Sequence, residues 1–96
     1  MNIGNYLFDG PFDPALSFKN DFAAVYTIID EASRIIDVGQ TGSINERFPY
    51  HDRRHLWPRH SQGVFKLYVY IEDLEQNRLT IESFIRETYN PPVGER

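Results

Sequence analysis

Apolar and polar positions change period several times along the chain, and each change marks an element. From Ala23 to Asp30 the run A-A-V-Y-T-I-I-D is β-branched and aromatic, which is strand chemistry. Glu31, Ala32 and Ser33 separate it from a second such run, Arg34 to Thr41, and so short a link predicts an antiparallel hairpin. Alternation places Ala24, Tyr26 and Ile28 on one face of the first strand and Ile35, Asp37 and Gly39 on one face of the second. Pairing Ile28 with Ile35 then predicts Tyr26 opposite Asp37. Ser43 to Glu46, S-I-N-E, reads as a capping box, so a helix should start at Ser43 and carry Arg47 in its second turn. Pro49 should kink or restart that helix before it runs through His51 to Leu56, and Pro58 should end it. Val64 to Asp73 alternates strictly, with Phe65, Leu67, Val69 and Ile71 on one side and Lys66, Tyr68, Tyr70 and Glu72 on the other, predicting a half-buried strand. Ile81, Phe84, Ile85 and Tyr89 recur at spacings of three and four, predicting an amphipathic helix over roughly Leu74 to Thr88 that Pro91 and Pro92 close.

The order is β-β-α-β-α, which predicts an α+β class with a three-stranded, mainly antiparallel sheet flanked by helices. Gly10, Pro11 and Pro14 punctuate residues 1–22, so this segment is expected to be an irregular lead-in. Its aromatics either pack on the domain of residues 23–96 or fray from it. At 96 residues the chain has room for one modest core. It has no cysteine, hence no disulfide, thiol nucleophile or Cys-based zinc site. The start M-N-I-G-N-Y lacks a basic and then apolar leader, and no apolar run reaches membrane-spanning length. A cytoplasmic protein without a membrane partner is the expectation.

A formal net charge of -4 argues at first against nucleic acid. The distribution reverses that argument, because residues 47–71 hold five basic side chains, Arg47, Arg53, Arg54, Arg59 and Lys66, against one acidic. All three histidines, His51, His55 and His60, lie in the same block. A solvated face would explain such a cluster; a local anion site would explain it as well.

Four residues form a minimum set for phosphodiester hydrolysis: Tyr26 and Asp37 to handle a proton, Arg47 to bind a phosphoryl oxygen, Glu82 to hold a hard cation. Each also has an ordinary explanation. Tyr26 could be a sheet aromatic, Arg47 a surface cation, and Glu82 a partner of Arg78 and Arg86 in i,i+4 pairs worth about 0.2–0.5 kcal/mol each. His51 and His55 have zinc-ligand spacing, but H-D-R-R-H lacks the glutamate of H-E-x-x-H and its arginines repel a dication.

The string A-V-Y, ten residues, then D-V-G-Q-T-G-S-I-N-E-R-F-P-Y-H, from Ala24 to His51, resembles the GIY-YIG nuclease domain. A-V-Y occupies the first motif and D-V-G the second, with Gly39, Gln40, Thr41, Arg47 and His51 following at the family's spacing. I-E-S-F-I-R-E-T-Y-N-P-P, Ile81 to Pro92, looks like its later helix. The resemblance implies metal-dependent cleavage of nucleic acid at a single Mg2+ or Mn2+ ion, with DNA ahead of RNA as the partner. It implies Glu82 as the metal ligand, Arg47 as the stabiliser of phosphorane charge, Tyr26 as the group that positions or deprotonates water, and His51 as an aid to proton transfer or a grip on phosphate. Gly39 would let the backbone pass close to the site. Gln40, Thr41, Arg53, Arg54, Arg59 and Lys66 are the expected nucleic-acid contacts.

Two departures stand out. Ala24 replaces a glycine, and Asp37 stands where the family places a second tyrosine; a carboxylate there could act as a base, touch the metal, or mark a site that has drifted from catalysis. Gly94 lies near the position of a family asparagine. Two functions from different classes follow: a stand-alone endonuclease, or a drifted module that binds nucleic acid or an acidic protein without cutting. A protein-interaction domain using Trp57, Tyr68 and Tyr70 is a third reading that rests on composition alone.

Overall fold

The computed structural model describes residues 1–94. In chain order its elements are β1 (Asn2–Ile3), β2 (Tyr6–Leu7), β3 (Asp9–Phe12), β4 (Ala24–Asp30), β5 (Ile35–Thr41), α1 (Ile44–Arg47), α2 (Trp57–His60), β6 (Phe65–Ile71) and α3 (Glu75–Tyr89). The class is α+β. The main sheet has the order β3-β6-β4-β5, with every neighbouring pair antiparallel, and β1 and β2 form a separate two-stranded ribbon.

The sheet therefore has four strands where three were expected. The added strand, β3, comes from the segment read as irregular, and pairs Asp9 with Val69 and Phe12 with Leu67 across a register shift. Gly10 and Pro11 lie inside that shift and break the alternation that would have announced a strand; an edge position tolerates a residue without an amide donor. The lead-in packs on the domain: Ile3 and Phe8 are buried, and Phe12, Phe18 and Phe22 lie against the core.

Hairpin register also differs from expectation. The three-residue turn pairs Ile29 with Ile35, and a bulge at Ile36 moves the register once more, so that Ile28 faces Asp37 and Tyr26 faces Gly39. Between β5 and β6, every residue of β4 is buried. Its two faces feed separate apolar clusters. Ala24, Tyr26 and Ile28 join Ile36, Ile44, Phe48, Trp57 and Leu67 under the loop side, whereas Val25, Ile29 and Val38 join Ile81 and Ile85 of α3. Full burial of such aliphatic side chains contributes about 1.5–3 kcal/mol each, which is what pins α3 to the sheet.

The expected long helix is absent. Ser43 caps α1 by accepting from the Glu46 amide at 3.3 Å, but the Ser43 amide goes to Thr41 Oγ1 rather than to the Glu46 side chain. Asp21 completes the start, accepting from Ser43 Oγ at 2.5 Å and from the Asn45 amide at 3.0 Å. α1 ends after one turn at Phe48, which is extended ahead of a cis Pro49. Residues 51–56 form turns, and Pro58, expected to end a helix, sits in the first turn of α2. Among the described residues no helix is long and apolar enough to cross a membrane.

Candidate active site

Tyr26 enters the site from the middle of β4. Its ring is fully buried, edge-on to Phe48 with centroids 5.1 Å apart, and its hydroxyl emerges over Gly39 of the neighbouring strand. A Cβ at Gly39 would overlap the phenol, so the absence of a side chain there is what lets the hydroxyl reach the cavity. Two groups converge on the Tyr26 oxygen: Arg47 Nε donates from 3.2 Å, and His51 Nε2 lies 2.6 Å away.

His51 is 2% exposed, against Phe48 and Trp57. Its Nδ1 accepts the Arg53 amide at 3.0 Å, which leaves the proton of a neutral ring on Nε2, pointed at the phenol. Burial first, and then the charges of Arg53 and Arg47, lower its pKa to about 4, so the ring is neutral at pH 7. Burial pushes the Tyr26 phenol up from its usual value, while the hydrogen bond and charge of Arg47 oppose the shift. At neutral pH the oxygen thus accepts from two donors and holds a proton that it can present to a third group.

Asp37 lies beneath this array, fully buried. Its carboxylate takes Arg53 Nε at 2.9 Å and Nη2 at 3.2 Å, Trp57 Nε1 at 2.9 Å and Arg86 Nη2 at 3.5 Å. Its oxygens are engaged, and the residue does not line the cavity above. Here Asp37 organises neighbouring groups instead of presenting a free base or metal contact. Arg86 also donates to the carbonyls of Val93, at 3.1 Å, and Val38, so it covers the free edge of β5 and ties the chain after α3 to the same hub. Gly94, with φ of +96°, sits where a Cβ would press on both Arg86 and Asp37.

Arg78, Glu82 and Arg86 form one stripe along α3. The i,i+4 pairs that the sequence suggested do not form. Arg78 and Arg86 are buried and turn to β5, Arg78 Nε donating to Gln40 Oε1 at 2.9 Å. Glu82 has no hydrogen-bond or ion-pair partner among the described residues. Burial raises its carboxyl above the ordinary value, with the Arg86 charge opposing. Glu82 lines a polar cavity of about 450 Å³ together with Tyr26, Gly39, Gln40, Arg47, Arg53 and other residues.

Four of the five residues expected to be catalytic therefore border one hollow or touch the group that does: Tyr26, Arg47 and Glu82 line it, and His51 holds the Tyr26 oxygen. The chain matches no protein-family model, no curated protein and no solved structure.

The expected nucleic-acid contacts divide. Gln40 and Arg53 line the cavity. Thr41 spends its hydroxyl on the turn into α1, donating to the Ser43 carbonyl at 2.9 Å. Arg54 is exposed over the Tyr50 ring, 5.0 Å from its centroid, and Arg59 is exposed on α2. Lys66 borders a different hollow beside Asp30 and Glu31 at the turn end of the hairpin. Sequence reasoning missed Arg86 as a site-building residue, and it misread Arg78. Their i,i+4 spacing to Glu82 fits an exposed salt-bridged stripe equally well; only the burial of that helix face distinguishes the two.

Proposed function

We propose that this chain is a divalent-metal-dependent endonuclease of the GIY-YIG type, hydrolysing nucleic-acid phosphodiesters in the cavity between β5, α3 and the loop after α1. The observation that carries the reading is the Tyr26 oxygen, held by Arg47 and His51 at the wall of a polar hollow whose unpaired carboxylate is Glu82. The motif resemblance from Ala24 to His51 and again from Ile81 supports it.

The donor set fits a hard cation that keeps most of its water. Among the described residues no three carboxylates or imidazoles gather into a cage, so Glu82 would hold the ion alone, with water and phosphate completing its shell. Bound Mg2+ or Mn2+ would supply neutralising charge for the phosphate and an acidified water shell.

The chain's own groups do the rest. Arg47, whose Nη2 lies 3.8 Å from the exposed Asp52 carboxylate at the rim of the same cavity, would turn its terminal nitrogens to the non-bridging oxygens, where charge grows in the transition state. Tyr26 orients the attacking water by donating its phenol proton to the water oxygen; the two donors on the Tyr26 oxygen stabilise the phenolate form, which takes the water's proton and returns to the neutral phenol. His51, with Nδ1 engaged by a backbone amide, fixes the Tyr26 oxygen rather than shuttling protons itself.

The test is cleavage of plasmid DNA and of structured RNA with magnesium or manganese. Arg47→Ala should lower the rate by about 10²–10³-fold, and Glu82→Ala should abolish metal-dependent cleavage. A wild-type chain that cleaves neither substrate, or cleavage indifferent to both substitutions, overturns the reading. Salt-sensitive binding without cleavage would establish the non-catalytic module in its place.

A further inference from the structure

We propose that Arg53 is a second phosphodiester-binding guanidinium, aimed into the cavity by Asp37, so that the site grips an oxyanion between two arginines rather than one. This deepens the nuclease reading and rests on it. Arg53 gives Nε and Nη2 to the two oxygens of Asp37, a bidentate fork that fixes the plane of the guanidinium. Its Nη1 has no partner among the described residues, and the side chain lines the same cavity as Arg47, Tyr26 and Glu82. A surface arginine serving only solubility needs no such brace.

The brace is itself built in. Asp37 is fully buried, and Trp57 Nε1 and Arg86 hold the carboxylate from other sides. The Arg53 amide meanwhile fixes the His51 ring, so one residue couples the orientation of the phenol's partner to the position of a cation. Of the three guanidiniums that line the hollow, Arg86 is committed to Val93, Val38 and Asp37, which leaves those of Arg47 and Arg53 to match the oxygens of a phosphodiester, which carries one negative charge spread over two non-bridging atoms. Asp37 is then a positioning residue, acting through Arg53.

Two measurements on the full chain test this. In cleavage with magnesium, Arg53→Ala should lose about 10²-fold in rate, and sub-denaturing guanidinium should restore part of it, because the deleted group leaves a charged, shaped vacancy above Asp37. Asp37→Asn should also be slow but gain nothing from guanidinium, since Arg53 is still present and merely misplaced. In binding of a short duplex with calcium as the ion, Arg53→Ala should reduce the slope of log K against log salt by about 0.9, the loss of one phosphate contact. Arg53→Lys, which keeps the charge but not the fork, should retain the slope while cleaving slowly, separating loss of aim from loss of fold. Unchanged cleavage together with an unchanged slope in Arg53→Ala overturns the proposal. If the wild-type chain cleaves nothing, the nuclease reading falls, and the salt slope alone decides whether Arg53 holds phosphate.

Discussion

Two aspartates on one hairpin, Asp30 and Asp37, are both buried and both bonded to arginine, yet they organise different things. Asp30 collects backbone amides: Oδ1 accepts from Ala32 at 3.1 Å and Arg34 at 3.0 Å, and Oδ2 accepts from Gln62 at 2.9 Å. Arg34 adds an ion pair at 3.0 Å. Burial would raise its pKa, but the Gln62 and Arg34 amides outweigh it and hold the carboxyl below the usual range. Every bond of Asp37, by contrast, is to a side chain, and two of those side chains, Arg53 and Arg86, line the cavity. A carboxylate bonded to amides closes a turn; one bonded to guanidiniums and an indole sets the direction of groups that face the cavity. Substitutions at the two ends of the hairpin should therefore separate stability from activity.

The largest effect is expected at the site end. Tyr26→Phe keeps the ring and its packing but removes the oxygen between Arg47 and His51, and should cost about 10²–10⁴-fold in cleavage rate with a much smaller loss of stability. Rate and denaturant unfolding measured on one preparation would test this, and a variant that unfolds but cuts normally would break the distinction. Asp37→Ala should hurt both, because it leaves the buried Arg86 and the half-buried Arg53 without their shared partner. Unfolding in urea should show a loss of about 3–5 kcal/mol.

His51 sharpens the comparison through pH. Its folded pKa is lowered to about 4, below the unfolded value near 6.5, so the unfolded chain takes up the proton first as pH falls. The stability associated with the neutral ring is fully present above about pH 6.5 and is lost between there and about pH 4, on the order of 3 kcal/mol in all. Urea midpoints across that range should fall in the wild type and flatten in His51→Gln; parallel curves would contradict the assignment. The smallest effect belongs to the turn. Asp30→Asn should destabilise by about 1–3 kcal/mol through imperfect satisfaction of the amides, and leave the cleavage rate of the folded chain as it was.

The hairpin, the capping serine, the last strand and the last helix were legible because each depends on near neighbours in sequence. Tyr26, Arg47, His51 and Glu82 were legible as a set through motif spacing. What escaped depended on distant partners. Asp37 looked like a reactive group because Arg53, Trp57 and Arg86, which occupy it, lie 16, 20 and 49 residues further on. The helix expected over residues 51–56 gave way because His51 Nδ1 captures the Arg53 amide locally and Asp37 pulls the Arg53 and Trp57 side chains inward, outbidding helical propensity. β3 was hidden by Gly10 and Pro11, whose edge-strand role requires knowing that β6 lies beside them.

Arg86 gives the order of synthesis a part in this design. As the chain is made from its N-terminus, the β4–β5 hairpin emerges with Asp37 as a bare carboxylate on the face destined for the core. It gains Arg53 and Trp57 in mid-chain, and Arg86 only near the end, before Val93 arrives to accept from that same guanidinium. In a nascent chain that stops short of α3, Asp37 is held by Arg53 and Trp57 alone, and the hollow above it lacks the wall that holds Glu82. The hollow is thus completed only when the last helix has been made, by the position of two residues in the message.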